Sequence, residues 1–189
     1  MDRKTLIHLP ISGERKNVKI ETFLPVIFLA GPIRNAPKWH SQAIKFLLTK
    51  NKEIFVASPS RIIDQDFMLF VETDSPTYET FSRQRAWEQY YLYAAAKRGC
   101  IIFWLLPEAE EKEFPDKVYA HITMMELGQW IARKKLNPNI NLVIGIDENF
   151  PEWSTIKYEI ATEVPDVPIC TSLEETIMTA LSLVSKINV

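Results

Sequence analysis

VIFLAGPIR, residues 26–34, decides the fold: five apolar residues stop at a glycine and a proline, with an arginine just beyond. A short run that is apolar throughout fits a strand covered on both faces, as in a parallel sheet. Working outward, the same signal recurs in EIFVA (53–57), CIIFWL (100–105), INLVIGI (140–146) and VPIC (167–170). Between these runs, helical periodicity covers about 38–50, 79–98, 122–135, 154–162 and 172–187. In the last helix Leu173, Ile177, Ala180, Leu181 and Val184 share one face, with Ser172 as N-cap and Glu175 three residues on. Five strands alternating with five helices, strand first, predict a flavodoxin-like, doubly wound α/β fold. Its five-stranded parallel sheet should have the order 2-1-3-4-5.

Two segments do not fit the alternation. Residues 1–25 read as a β-hairpin turning near Ser12–Gly13, or as an arm outside the sheet, with the domain proper spanning 26–189. SPSRIIDQDFMLFVETDSPTY (58–78) is a long connection, and loops of that length in compact domains tend to be lids or binding segments.

Composition narrows the function classes. At 189 residues the chain suits one domain, and its net charge of −2 offers no general attraction to a nucleic-acid backbone. MDRKTLIHLP lacks the apolar core of a signal peptide, and CIIFWLL falls far short of the roughly 18 residues of a membrane span. The expectation is a soluble, cytoplasmic protein with no membrane or nucleic-acid polymer partner. Cys100 and Cys170 sit in apolar runs and read as buried thiols; no metal-ligand spacing is present, and no metal or cofactor is expected.

In such a sheet, ligands bind outside the carboxyl ends of the strands, where the strand order reverses. Three segments should meet there: Gly31–Asn35, the loop 106–121 with the helix entry Ile122–Gly128, and Asp147–Phe150. Gly31 would let backbone amides approach a ligand, Pro32 would fix the exit path, and Arg34 would be free to pair with a phosphate or hydroxyl. The plainer alternative is a strand-to-helix turn. Glu126, in HITMMELGQW, is either a first-turn dipole or capping partner, with Thr123 as candidate cap, or a nucleophile held ionised by the helix N-terminus. Gly128 would let that helix pack tightly on the sheet. Glu88, in FSRQRAWEQYYLY, shares a helix face with Gln84, Tyr91 and Ala95. It is either part of an aromatic packing face or, among Trp87, Tyr90 and Tyr91, an acid with a raised pKa.

In their order along the chain, VIFLAGPI, VASPSR, FSRQRAWEQYYL, IIFWLLP, ITMMELGQW and LVIGID resemble the nucleoside 2-deoxyribosyltransferase-like proteins, over about residues 26–185. The resemblance implies a pocket for a nucleoside or nucleotide whose N-glycosidic bond is hydrolysed or exchanged. It makes Glu126 the nucleophile at the anomeric carbon and Glu88 the residue that orients the sugar or assists proton transfer. Arg34 corresponds to a phosphate-contacting loop arginine, and Asp64 or Asp66 would contact the base or ribose. Trp87 and Met125, beside the two acids, complete the expected substrate contacts. Homodimers or higher assemblies are implied as well. Three departures stand out: the helix between Glu88 and the third strand is about one turn longer than the family pattern, Arg98-Gly99 replaces the usual Ala-Asp before that strand, and Pro59-Ser60-Arg61 keeps one arginine of a PRR-like stretch. A non-catalytic nucleotide sensor and an NAD glycohydrolase are the alternatives that the same pocket allows.

Overall fold

The computed structural model describes residues 5–8, 22–50, 52–60 and 78–186. Its strands are β1 (Thr5–His8), β2 (Val26–Ala30), β3 (Ile54–Ala57), β4 (Gly99–Leu105), β5 (Leu142–Ile146) and β6 (Ile169–Cys170). Its helices are α1 (Trp39–Thr49), α2 (Tyr78–Arg98), α3 (His121–Leu136), α4 (Trp153–Glu163) and α5 (Leu173–Val184). Every neighbouring strand pair is parallel, and the order β1-β3-β2-β4-β5-β6 contains the expected 2-1-3-4-5 core. The flavodoxin-like α/β reading therefore holds.

The N-terminal arm corrects one expectation. Thr5–His8 is not outside the sheet but joins its edge, pairing in parallel with Ile54–Ala57. Without it β3 would present a bare row of backbone donors and acceptors, which covering strands remove. The Ser12–Gly13 turn lies outside the described residues.

The sheet is apolar on both faces because two helix layers cover it. Phe28, Phe55, Ile101, Phe103 and Ile144 point to one side, against Trp87 and Tyr91 of α2, Leu127 and Trp130 of α3, and Ile160 of α4. Ile27, Leu29, Val56, Ile102, Trp104 and Val143 point to the other, against Trp39, Ile44 and Leu47 of α1 and Ile177 and Leu181 of α5. Successive strand residues alternate between these two cores, as the pleat requires. At α5 the cap reads as expected: the Ser172 hydroxyl accepts from the Glu175 amide at 3.2 Å. Both cysteines are free and buried. Among the described residues, no helix is long and apolar enough to cross a membrane.

Two glycines behave oppositely. A Cβ at Gly145 would overlap the Trp104 ring and the Thr176 hydroxyl, where β5 meets the α5 layer. Gly128 is exposed, and a Cβ there would meet nothing within 4 Å, so it does not serve close packing of α3 on the sheet. Gly145→Ala should therefore destabilise the fold by about 1–3 kcal/mol through overpacking. Gly128→Ala should stabilise it by about 0.5–1 kcal/mol through helix propensity. Urea unfolding of both variants checks the opposite signs.

Candidate functional site

From β2 the chain turns to α1 on one face of the sheet; from the adjacent β4 it turns to α3 on the other. The divergence leaves a crevice at the carboxyl ends of these strands. A cavity of about 570 Å³ lies there, formed by the β2–α1 loop, Pro59 after β3, Arg85 and Glu88 of α2, and the segment Lys117–Glu126. That volume suits a small-molecule ligand.

Gly31 is needed at the floor for a packing reason. A Cβ on it would lie 2.5 Å from the Trp104 carbonyl oxygen and 2.6 Å from the Trp39 ring. Trp39 is itself fixed by donating its indole N–H to the Pro32 carbonyl at 2.8 Å. Three residues further on, Asn35 adopts the left-handed conformation (φ 57°), which asparagine tolerates better than most side chains. From there its amide donates to the Phe114 carbonyl at 2.8 Å and to Glu108 at 3.1 Å, and its side-chain oxygen accepts from the Phe114 amide at 2.8 Å. The Asn35 carbonyl accepts from the Ala109 amide at 2.7 Å. These bonds staple the β4–α3 loop to the β2–α1 loop. The base of that loop is closed by the Tyr119 hydroxyl, which donates to the Leu106 carbonyl at 2.8 Å. Burial, reinforced by the negative Glu108, raises the pKa of this phenol, so it remains a donor. Arg34 lies over the Phe114 ring, 5.7 Å from its centroid, at the cavity lip.

The chemistry is concentrated on α2 and α3. One nitrogen of Arg85, Nη1, contacts Glu88 Oε2 at 2.6 Å and also Glu126 Oε1. Gln84 donates to the other oxygen of Glu88 at 2.9 Å. Burial pushes the Glu88 carboxyl above its ordinary pKa; Gln84 and Arg85 work in the opposite direction, and the charge of Glu126 adds to the rise. Burial opposes the charge on Arg85, but hydrogen bonds and attraction from Glu126 and Glu88 outweigh it and raise its pKa.

Helix α3 starts at His121, after Ala120 in the left-handed conformation, and has no side-chain cap. Glu126 is therefore in the second turn, and Thr123 lies within the helix rather than capping it. The first-turn capping reading of Glu126 falls. Its carboxylate is committed to Arg85 across the cleft.

Gly31, Pro32, Arg34, Glu88, Met125 and Glu126 thus line one cavity, as expected from their order. Trp87 does not; fully buried, it packs on Phe28 and Tyr91 behind the cavity wall. Asp64 and Asp66 lie outside the described residues. The segment after β5 is also absent from the lining: Asp147 instead accepts from the Asn149 amide at 2.9 Å and closes its own turn. Asn35, Lys117 and His121 were anticipated only as parts of the segments expected at the cleft, and Arg85 was passed over. Arg85 was detectable, because it stands three residues before Glu88 and so shares its helix face. Among the described residues, no group of three His, Cys, Asp or Glu side chains is placed to hold a metal ion. Neither models of known protein families nor curated proteins match this chain.

The raised Glu88 pKa sets a pH dependence. A carboxyl that holds its proton more tightly when folded stabilises the fold fully below the ordinary value of 4.5. That contribution is lost as pH rises through the folded value. Glu88→Gln should remove it, so the stability difference, wild type minus variant, should decline as pH rises from about 4 to about 8. Urea unfolding across that range checks the sign.

Proposed function

We propose that the chain is an N-glycosidase or N-deoxyribosyltransferase acting on a nucleoside or nucleoside monophosphate, with Glu126 as nucleophile and Glu88 as proton donor. The observation that carries this reading is the pair of carboxylates on a single Arg85 nitrogen, at the wall of a ligand-sized cavity. Sharing that nitrogen holds one oxygen of Glu88 within about 5 Å of one oxygen of Glu126, nearer to the roughly 5–5.5 Å of retaining glycosidases than to the roughly 6.5–9.5 Å that leaves room for a water in inverting ones. The close spacing favours direct attack by one carboxylate and a covalent glycosyl intermediate. Glu88, with its raised pKa, is suited to deliver a proton to the departing base.

The remaining lining is consistent with a nucleoside. Val118, Ile122 and Met125 form an exposed apolar rim against which a flat base can lie. Arg34 and Lys117 offer positive charge for a 5′-phosphate. The sequence resemblance to nucleoside 2-deoxyribosyltransferase-like proteins supports the same assignment of Glu126 and Glu88. A second copy of the chain would cover the apolar rim in a homodimer or higher assembly.

Incubation with deoxynucleosides, their monophosphates and NAD, followed by chromatography of free base, tests the activity. Glu126→Gln should abolish base release while leaving nucleotide affinity nearly unchanged, because the amide keeps the shape but is a poor nucleophile. Thermal stabilisation of the wild type by a nucleotide with no base release would instead support a binding module.

A further inference from the structure

We propose that Arg85 is a shared counter-ion, passing its compensation from Glu126 to Glu88 as glycosyl transfer moves the negative charge between them, and so fitting the cleft to neutral nucleosides whose base must gain a proton to leave. This rests on the reading of Glu126 and Glu88 given above. The supporting geometry is one guanidinium nitrogen in contact with both carboxylates, on a side chain that is 27% exposed and faces the cavity.

The balance of the step shows what such a group contributes. Before attack, Glu126 is a carboxylate and Glu88 carries a proton. An oxygen of Glu126 forms a bond to the anomeric carbon, the carbon–nitrogen bond breaks, and its electron pair goes to the base. The base takes the proton of Glu88. Afterwards Glu126 is a neutral ester and Glu88 a carboxylate. One negative charge exists throughout, but it has changed residue and helix. A guanidinium already bonded to both positions neutralises it in each state without solvent reorganisation, the kind of preorganised electrostatics that lowers a barrier. Burial raises the Glu88 pKa and so favours the proton-loaded starting state.

Both contacts run through a single nitrogen, so the position requires a positive charge between the two carboxylates rather than a planar fork. A lysine ammonium, a point charge with three donors, can supply it. Substrate class follows from the same balance. A nicotinamide leaves its ribose as a neutral molecule and needs no proton, so a proton-loaded acid with its own counter-ion is superfluous for NAD. An unmodified purine or pyrimidine needs it. Among the described residues, the other charged or titratable groups lining the cavity with this pair are Arg34, Lys117, Tyr119 and His121, from the two loops and the start of α3. Tyr119 bonds the Leu106 carbonyl, His121 the Val118 carbonyl, and Arg34 lies over the Phe114 ring.

The test uses the full chain and two readouts. Carbon-13 NMR of the glutamate carboxyls follows proton uptake by the pair as pH is varied, in wild type, Arg85→Met and Arg85→Lys. Removing the guanidinium should move proton release from the pair upward by about one to three pH units, with Arg85→Lys close to wild type. Arg85→Gln replaces Arg85→Met if the latter does not fold. Single-turnover base release from an unmodified purine nucleoside and from its 7-methyl analogue, whose base leaves without a proton, gives the second readout. The acidic limb of the rate profile should shift upward with the NMR titration in the Arg85 variants. Glu88→Gln should slow the unmodified nucleoside at least about tenfold more than the 7-methyl one. Titration unchanged without Arg85, or equal slowing of both nucleosides by Glu88→Gln, would overturn the proposal. If the wild type releases no base at all, the enzymatic reading fails, and with it the catalytic role of Arg85. The titration then separately reports whether Arg85 couples the pair.

Discussion

The parallel pairing of β2 with β4 determines everything that follows at the site. Val26 to Ala30 lie beside Gly99 to Phe103, side by side in register. Beyond that shared edge the two connections must part, because α1 covers one face and α3 the other. A sheet fully covered on both faces leaves few other places for a cleft. The long α2, packed on the same face as α3, then brings Arg85 and Glu88 to the cleft wall opposite Glu126.

The cleft keeps its shape through contacts that are not themselves chemical. Gly31 leaves space for the Trp39 ring and the Trp104 carbonyl, so the floor is set by packing of aromatic residues rather than by loop flexibility. Asn35 ties the roof loop to that floor through the peptide of Phe114. Partly buried amide pairs of this sort help to hold geometry, because breaking one leaves two polar groups without partners. Behind the wall, Trp87 packs against Phe28 and Tyr91 and sets the depth at which Glu88, the next residue, meets the cavity. That burial is what raises the Glu88 pKa. A core residue thus influences an acid that it does not touch through polar contacts.

Strands β2 to β6 and the helices were legible because these strands are short, mainly apolar runs and amphipathic helical patterns fall between them. Gly31 and Glu126 could be placed at one cleft from topology, since their segments each follow a strand at the reversal point, whereas Glu88 was assigned there by the family resemblance. Other features depended on contacts between residues distant in sequence. Thr5–His8 forms a strand only because β3 offers a free edge, and no local pattern announces that partner. Asn35 looks like any turn residue until Phe114, 79 residues later, lies above it. Arg85 reads as half of an ordinary i,i+3 helix pair, because Glu126 is 41 residues away. Trp87 was expected at the ligand because it neighbours Glu88 in sequence, but adjacent helix residues point to different faces.

In the proposed reaction Glu126 attacks the anomeric carbon. Mass spectrometry of wild-type protein incubated with a 2′-fluoro-substituted nucleoside addresses it most directly. The fluorine destabilises the oxocarbenium-like transition state and slows breakdown of a covalent intermediate. The expected result is a mass increase equal to one fluorosugar, mapped after proteolysis to the peptide containing Glu126 and absent in Glu126→Gln. Base release without any adduct, or an adduct on another residue, would contradict it.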